Sequence, residues 1–219
     1  MTEHLDAYDQ DGRLVKTAEK GLLLSEIKEY SISHGDAHLA VPGALLLLVH
    51  PERGIYVVKR AGKSENPHLW CKTVGEHVRH GETADDALIR GAREEIDTHV
   101  VIAYSLDEYI ERVESTDLTE TAVARQIDFK PWFGGDCIDR ETGRPWRRRF
   151  RATIYTGVYR NEELRLPKKT CVEDFTDGFG EAVAFAFYQK DKLRELLTEG
   201  DRRFTHDLFI LVRDYYPFL

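Results

Sequence analysis

The sequence predicts an α/β (α+β) fold with an N-terminal hairpin and C-terminal helices, and three observations carry that expectation. A largely apolar run, Ala37 to Val49, is followed after a Pro-containing turn by the alternating run Gly54 to Lys59, the signature of paired strands. The stretch Gly75 to Asp97, GEHVRHGETADDALIRGAREEID, passes from a Gly-bearing loop into an amphipathic helix. The last thirty residues space their apolar side chains as two further helices.

Taken in order, residues 4–18 read as two short strands about Asp9-Gln10-Asp11-Gly12, because Asp-Gly between mixed apolar segments signals a hairpin. Residues 19–32 place Leu22, Leu23, Ile27 and Tyr30 at helical spacing, and Ser33-His34-Gly35-Asp36 ends that helix. The strands Ala37 to Val49 and Gly54 to Lys59, joined through His50-Pro51-Glu52-Arg53-Gly54, are expected at the centre of a sheet. The loop AGKSENPHLW ends in Trp70, expected to pack against the base of the following loop and helix.

In that helix Thr83 is the expected N-cap, Asp85 and Asp86 suit the positive first turn, and Ala84, Leu88, Ala92 and Ile96 recur at helical spacing. The length is roughly three to four turns. Gly91, Glu94 and Glu95 share a face, with Glu95 nearer the apolar stripe and Glu94 nearer solvent. A carboxylate at such an edge can ligate a cation. Val100 to Tyr104, Tyr109 to Val113 and Val123 to Trp132 follow as expected strands, on their β-branched and aromatic content. A hairpin-like segment then carries Arg144 and Arg147 to Arg151 into the apolar strand Ala152 to Tyr159; alternation puts Arg147, Arg149 and Arg151 on one face, Arg148 and Phe150 on the other. Residues 160–180 read as loop, ending in an acidic series Glu173, Asp174, Asp177 and Glu181; a strand Ala182 to Tyr188 and helices at about 190–198 and 205–215 close the chain.

Composition narrows the function classes. The 219 residues suit one domain with insertions, 1–219. A net charge of -8 argues against general affinity for nucleic acid or anionic membranes. Cys71, Cys137 and Cys171 are odd in number and widely spaced, so neither a disulfide framework nor a cysteine zinc site is expected, and a reducing cytoplasm is the simple reading. The strongest apolar run, Ala44 to Val49, is far too short to span a bilayer.

Glu82, Arg90, Glu94 and Glu95 fall at the spacings of the Nudix box, Gly-x5-Glu-x7-Arg-Glu-U-x-Glu-Glu-x-Gly-U with U apolar, and the stretch Gly75 to Asp97 resembles it. Ala92 fills an apolar slot, and Gly75 and Gly81 lie in the loop. Three positions depart: Glu76 stands at the first Gly, Gly91 at the Glu after Arg90, and Asp97-Thr98 at the late Gly-apolar pair. Arg203-Phe204-Thr205-His206-Asp207 also resembles the Phe-Thr-Pro-Asp helix entry of that family.

The resemblance implies an α/β/α sandwich with a mixed β-sheet, divided into an N-terminal hairpin and helix (1–34), a core (36–189) and C-terminal helices (190–219). It also implies a Mg2+-dependent hydrolase, Mn2+ being a substitute, that cleaves the diphosphate linkage of a nucleoside diphosphate derivative or related organic diphosphate. The metal set it implies is Gly75, Glu82, Glu94 and Glu95, with Glu94 and Glu95 also catalytic; one or two carboxylates completed by waters and phosphates suit Mg2+. Because Gly91 offers no side chain, the general base must come from elsewhere, and Glu181 is chosen from Glu173, Asp174, Asp177 and Glu181. Arg147, Arg149 and Arg151, whose guanidinium forks match phosphate oxygens, and His77 are the expected substrate contacts; the bland alternative makes the arginines a charged hairpin edge. The departures at Gly91 and Asp97 keep open a second reading, a Nudix domain that binds or regulates without hydrolysis. The nearest branch is the isopentenyl-diphosphate isomerases, on the N-terminal hairpin, His38, Trp70 and His77. Their catalytic cysteine would fall at Gly75, so isomerisation is the minor alternative. A homodimer is the assembly the family implies.

Overall fold

The computed structural model describes residues 2–62, 65–166 and 182–219. β1 (His4–Tyr8) and β2 (Leu14–Glu19) form the expected antiparallel hairpin. Gly12 turns it at φ 80°, where a side chain would be strained. α1 (Lys20–His34) starts at Glu19, whose carboxylate accepts from the N–H groups of Gly21 and Leu22.

The strands β3 (Val41–His50) and β4 (Gly54–Arg60) pair only next to their turn, at Val49 with Ile55 and His50 with Gly54. They then part. β5 (Trp70–Cys71) joins β4, and β6 (Val74–His77) joins β3. The expected two-stranded centre is therefore split, and a buried hydroxyl fills the fork: Thr73 accepts from Leu48 N–H at 3.0 Å and donates to the Tyr56 carbonyl at 2.8 Å. Backbone groups that lose their ladder partners are thus satisfied by one side chain.

α2 (Ala84–Ile96), β7 (His99–Ala103) and α3 (Leu106–Ser115) come next, then the long hairpin of β8 (Thr121–Ile138) and β9 (Pro145–Val158). β10 (Ala182–Tyr188), α4 (Lys190–Thr198) and α5 (His206–Tyr215) end the fold, with a 3-10 turn over Tyr216–Phe218. The main sheet runs β10-β4-β3-β9-β8-β7, parallel at β3/β9 and β7/β8 and antiparallel elsewhere, a mixed sheet as expected. β3 shows why helices cover both sides. Leu45 and Leu47 enter a core shared with α1, α4 and α5, whereas Ala44, Leu46 and Leu48 enter a second core shared with α2.

Two expectations fail for local reasons. Tyr109 to Val113 is helical, within α3, because Ser105 caps Glu108 N–H at 3.1 Å and Glu108 pairs with Arg112 one turn on. That local order outweighs the strand propensity of its aromatic and β-branched residues. Trp70 does not reach the box: its backbone N–H donates to the Arg203 carbonyl at 2.7 Å and its ring meets Tyr188 edge-on. Pairing of β5 with β4 turns this side chain toward the C-terminal segment. Among the described residues no helix is long and apolar enough to cross a membrane. Cys171, Glu173, Asp174, Asp177 and Glu181 lie outside the described residues.

Candidate active site

The site is built where β6 meets α2. Successive side chains of β6 point to opposite faces. Glu76 packs toward α2, and the ring of His77 lies 5.7 Å from that of Phe150. The structure therefore places His77 across the strand from the α2 carboxylates and does not gather it with them. Its carbonyl, however, accepts from Arg90 at 3.0 Å.

The loop into α2 is closed on itself. Glu82 N–H donates to the Arg79 carbonyl at 2.9 Å, and Arg79 N–H donates to the Glu82 carboxylate at 3.0 Å, with Gly81 at φ 82°. Thr83 caps the helix as expected, accepting from Asp86 N–H at 3.1 Å. The Tyr155 hydroxyl donates to Asp85 at 2.6 Å and fixes the first turn to the sheet. Ala87, Leu88, Gly91, Ala92 and Ile96 form the buried stripe, while Glu95 sits at its edge and Glu94 is exposed, as the helical wheel predicts.

Arg90 is the hub. Its Nε and Nη2 each reach Glu82 at 2.9 Å, a two-point fork, and its Nη1 lies 3.2 Å from Glu76 and 3.5 Å from Glu94. Its side chain is only 16% exposed. Burial pushes the Glu82 carboxyl up, but the Arg90 hydrogen bonds, the Arg79 N–H and both positive charges outweigh it and hold Glu82 below its usual range. Burial likewise opposes the charge on Arg90, and the surrounding carboxylates more than restore it. With both oxygens of Glu82 on Arg90, this residue ties the loop to the helix.

The departures from the box also find physical places. Asp97 adopts φ 48°, the left-handed conformation that glycine favours at a helix end and that Asp tolerates. A Cβ on Gly91 would lie 2.9 Å from the Cβ of Glu76 and 3.2 Å from Val74, closer than real side chains pack. The space that glycine leaves at position 91 is filled by the Glu76 side chain. Gly75 is exposed and pairs through its backbone with Leu45.

Among the described residues no group of three or more His, Cys, Asp or Glu side chains is gathered tightly enough to hold a metal. The donors present are hard carboxylates, Glu94 and Glu95 on α2 with Glu76 beside them. That set fits Mg2+, which takes one or two carboxylates and leaves the rest of its shell to water and substrate phosphate.

The expected arginine face forms on β9, but each member already has a partner. Arg147 reaches Asp136 and Arg149 reaches Asp36, both at 2.8 Å, and Arg151 lies over the rings of Tyr8 and Phe129. Arg148 lies over Trp146 and Phe150 and pairs with Glu65 at 2.6 Å, on the opposite face as alternation requires. Trp146 and Phe133 are core residues. The His38 ring lies 3.9 Å from that of Tyr30 at a tilt of 39°, and its Nε2 lies 3.7 Å from Glu26. Two features escape spacing arguments. One is Glu76, whose signal was the pair of departures at 76 and 91 read together. The other is the buried pair of Lys72 with Asp207, which binds the β5–β6 turn to the start of α5. There burial opposes the charge on Asp207, and the neighbouring ammonium holds its carboxyl far below the usual range.

The family model described as NUDIX domain matches residues 40–208, most of the chain, and the chain belongs to that family. Among solved structures, DR0079 from Deinococcus radiodurans aligns over 98% of this chain and 99% of its own, with a TM-score of 0.58 and 17% identity. The MutT protein from Methanosarcina mazei Go1 aligns over 80% of this chain and 91% of its own, with a TM-score of 0.50 and 12% identity. At these identities the likeness is one of fold. Comparison with curated proteins finds no match.

Proposed function

We propose that this protein is a Mg2+-dependent hydrolase, with Mn2+ as a substitute, that cleaves the diphosphate linkage of a nucleoside diphosphate derivative or related organic diphosphate. The observation that carries the reading is the Arg90 fork on Glu82, which locks the Gly-bearing loop onto α2 and presents Glu94 and Glu95 together one turn further on. Glu94 and Glu95 would hold the cation, which when bound neutralises the diphosphate and polarises the attacked phosphoryl group. Glu82 and Gly75 are the other members of the expected metal set; in this structure both Glu82 oxygens lie on Arg90, so this pair also positions the turn. Water attacks phosphorus and the bridging oxygen leaves; the residue expected to take the water's proton, Glu181, belongs to the segment outside the described residues. Arg147 and Arg149 would contact substrate where a phosphate displaces Asp136 and Asp36 from them, and Arg151 and His77 would complete the set of substrate contacts.

The test is phosphate release from ADP-ribose, dinucleoside polyphosphates, nucleotide sugars and prenyl diphosphates. Turnover of at least one should require Mg2+ and fall on the order of 100-fold or more in Glu95→Gln, the scale of losing one electrostatic contact to the reacting centre. Full turnover in that variant would sink the assignment. A second reading, a binding or regulatory domain, is favoured by the missing side chain at Gly91. It predicts that one of these compounds raises the melting temperature with no product formed. Isomerase chemistry finds no thiol at Gly75, and incubation with isopentenyl diphosphate should yield no allylic isomer.

A further inference from the structure

Positions 76 and 91 are a single steric unit. Glu76 lies on β6 and Gly91 in the middle of α2, and their facing surfaces leave no space for a second side chain: a Cβ on Gly91 would stand 2.9 Å from the Glu76 Cβ and 3.2 Å from its Cγ. A glycine in a helix interior costs about 1 kcal/mol relative to alanine. Here that penalty has a counterpart, because only glycine admits the Glu76 stem between strand and helix. The sequence records the same exchange, with a carboxylate where the box has glycine and glycine where the box has a carboxylate.

The Glu76 carboxylate is also held in place. Its Oε1 accepts from the His77 N–H at 2.8 Å, its Oε2 lies 3.2 Å from Arg90 Nη1, and its side chain remains 13% exposed. The same Nη1 lies 3.5 Å from Glu94, so the two carboxylates flank one cationic atom. Each carboxylate oxygen carries a second lone pair, which these contacts leave available.

We infer that Glu76 is the acidic group of the cation site that α2 lacks at position 91, delivered from β6 instead of from the helix. The inference rests on the hydrolase reading for its chemistry, and its test is separable from that reading. Wild type, Glu76→Gln, Gly91→Glu and the double exchange Glu76→Gly with Gly91→Glu are compared for Mn2+ binding by electron paramagnetic resonance without substrate, for Mg2+-dependent turnover, and for melting temperature. Glu76→Gln keeps the stem and one acceptor oxygen, for the His77 N–H, and gives up only the charged contact to Arg90, which retains Glu82 and Glu94, so it should melt within several degrees of wild type. It should bind Mn2+ about 10-fold more weakly or worse, the range seen when a group supporting a metal site is altered. Gly91→Glu alone should lower the melting temperature, for want of space. The double exchange should recover both melting temperature and Mn2+ affinity relative to Gly91→Glu.

Mn2+ affinity in Glu76→Gln equal to that of wild type, no measurable affinity in either protein, or a double exchange no better than Gly91→Glu overturns the inference. Should wild type hydrolyse nothing while Mn2+ affinity follows Glu76, the hydrolase reading fails and the inference stands. Should wild type hydrolyse, Glu95→Gln abolish turnover and Glu76→Gln match wild type in rate and Mn2+ affinity, the inference fails alone.

Discussion

Two groups of arginines occupy this molecule in opposite ways. Arg90 is one guanidinium shared by three carboxylates and a carbonyl, with contacts to Glu82, Glu76, Glu94 and His77. On β9, Arg147 and Arg149 are each met chiefly by their own acid, and Arg151 by aromatic rings. The difference teaches what each region is built to do. A single cation surrounded by excess negative charge fixes the relative positions of a strand, a loop and a helix, and it leaves net negative charge at the surface of α2. Arginines neutralised one by one stiffen the base of a long hairpin and leave little net charge there. The first arrangement suits a cation site, whereas the second becomes a phosphate site only if phosphate displaces an acid.

The comparison breaks most visibly at Arg90. Removing it in Arg90→Ala strands Glu82 and Glu76, whose side chains are 16% and 13% exposed, without their common partner. Loss of one partner from a largely buried ion pair costs on the order of 3 kcal/mol. Urea unfolding at pH 7 should show a fall of that size. Arg90→Lys should recover only part of it, since an ammonium cannot reproduce the fork on Glu82. A change below about 1 kcal/mol would place Arg90 with the ordinary surface pairs.

The same variant makes a pH prediction with a definite sign. Glu82 titrates below its ordinary range in the folded protein, so its contribution is present above the unfolded carboxylate value and is lost as pH falls through the folded one. Burial without Arg90 would push the carboxyl the other way. The gap in stability between wild type and Arg90→Ala should therefore be widest near neutrality and shrink as pH drops below about 4.3, the ordinary glutamate value. Unfolding curves collected from pH 7 down to pH 3 check this; a gap constant over that range would mean that the Glu82 fork adds nothing.

The two regions also differ in how far they are legible from residues alone. α2 is legible because its determinants are local: the Thr83 cap, the acidic first turn, the apolar period and the Arg90 to Glu94 spacing all lie within one short stretch. The same locality explains the match of β1, β2, β10 and α4 with expectation. α3 was hidden by composition, since Tyr109, Ile110 and Val113 suit a strand until the Ser105 cap and the Glu108 to Arg112 pair are weighed together. The fork between β3 and β4 depends on Thr73, remote in sequence from both carbonyl and N–H partners it serves. The meaning of Gly91 depends on a side chain from another element, Glu76, and the arginine face depends on Asp36 and Asp136, which no spacing rule connects to β9.

The smallest expected effect tests the other half of the comparison. Arg149 is held by Asp36, whose side chain is 41% exposed, and by the face of Trp132. An exposed pair of this kind contributes about 0.2–1 kcal/mol, so Arg149→Ala should lower stability by no more than about 1 kcal/mol, near the upper end of that range. Its kinetic effect separates two roles. If Arg149 clamps only the hairpin, KM and kcat for the best substrate should both stay near wild type, whereas a phosphate contact made in the ground state raises KM with kcat unchanged. Asp36→Asn sharpens the result, because it loosens the acid that competes with phosphate for Arg149. A lower KM in Asp36→Asn together with a higher KM in Arg149→Ala would convert the β9 arginines from hairpin clamps into substrate ligands. Unchanged KM in both would leave the β9 arginines as hairpin clamps.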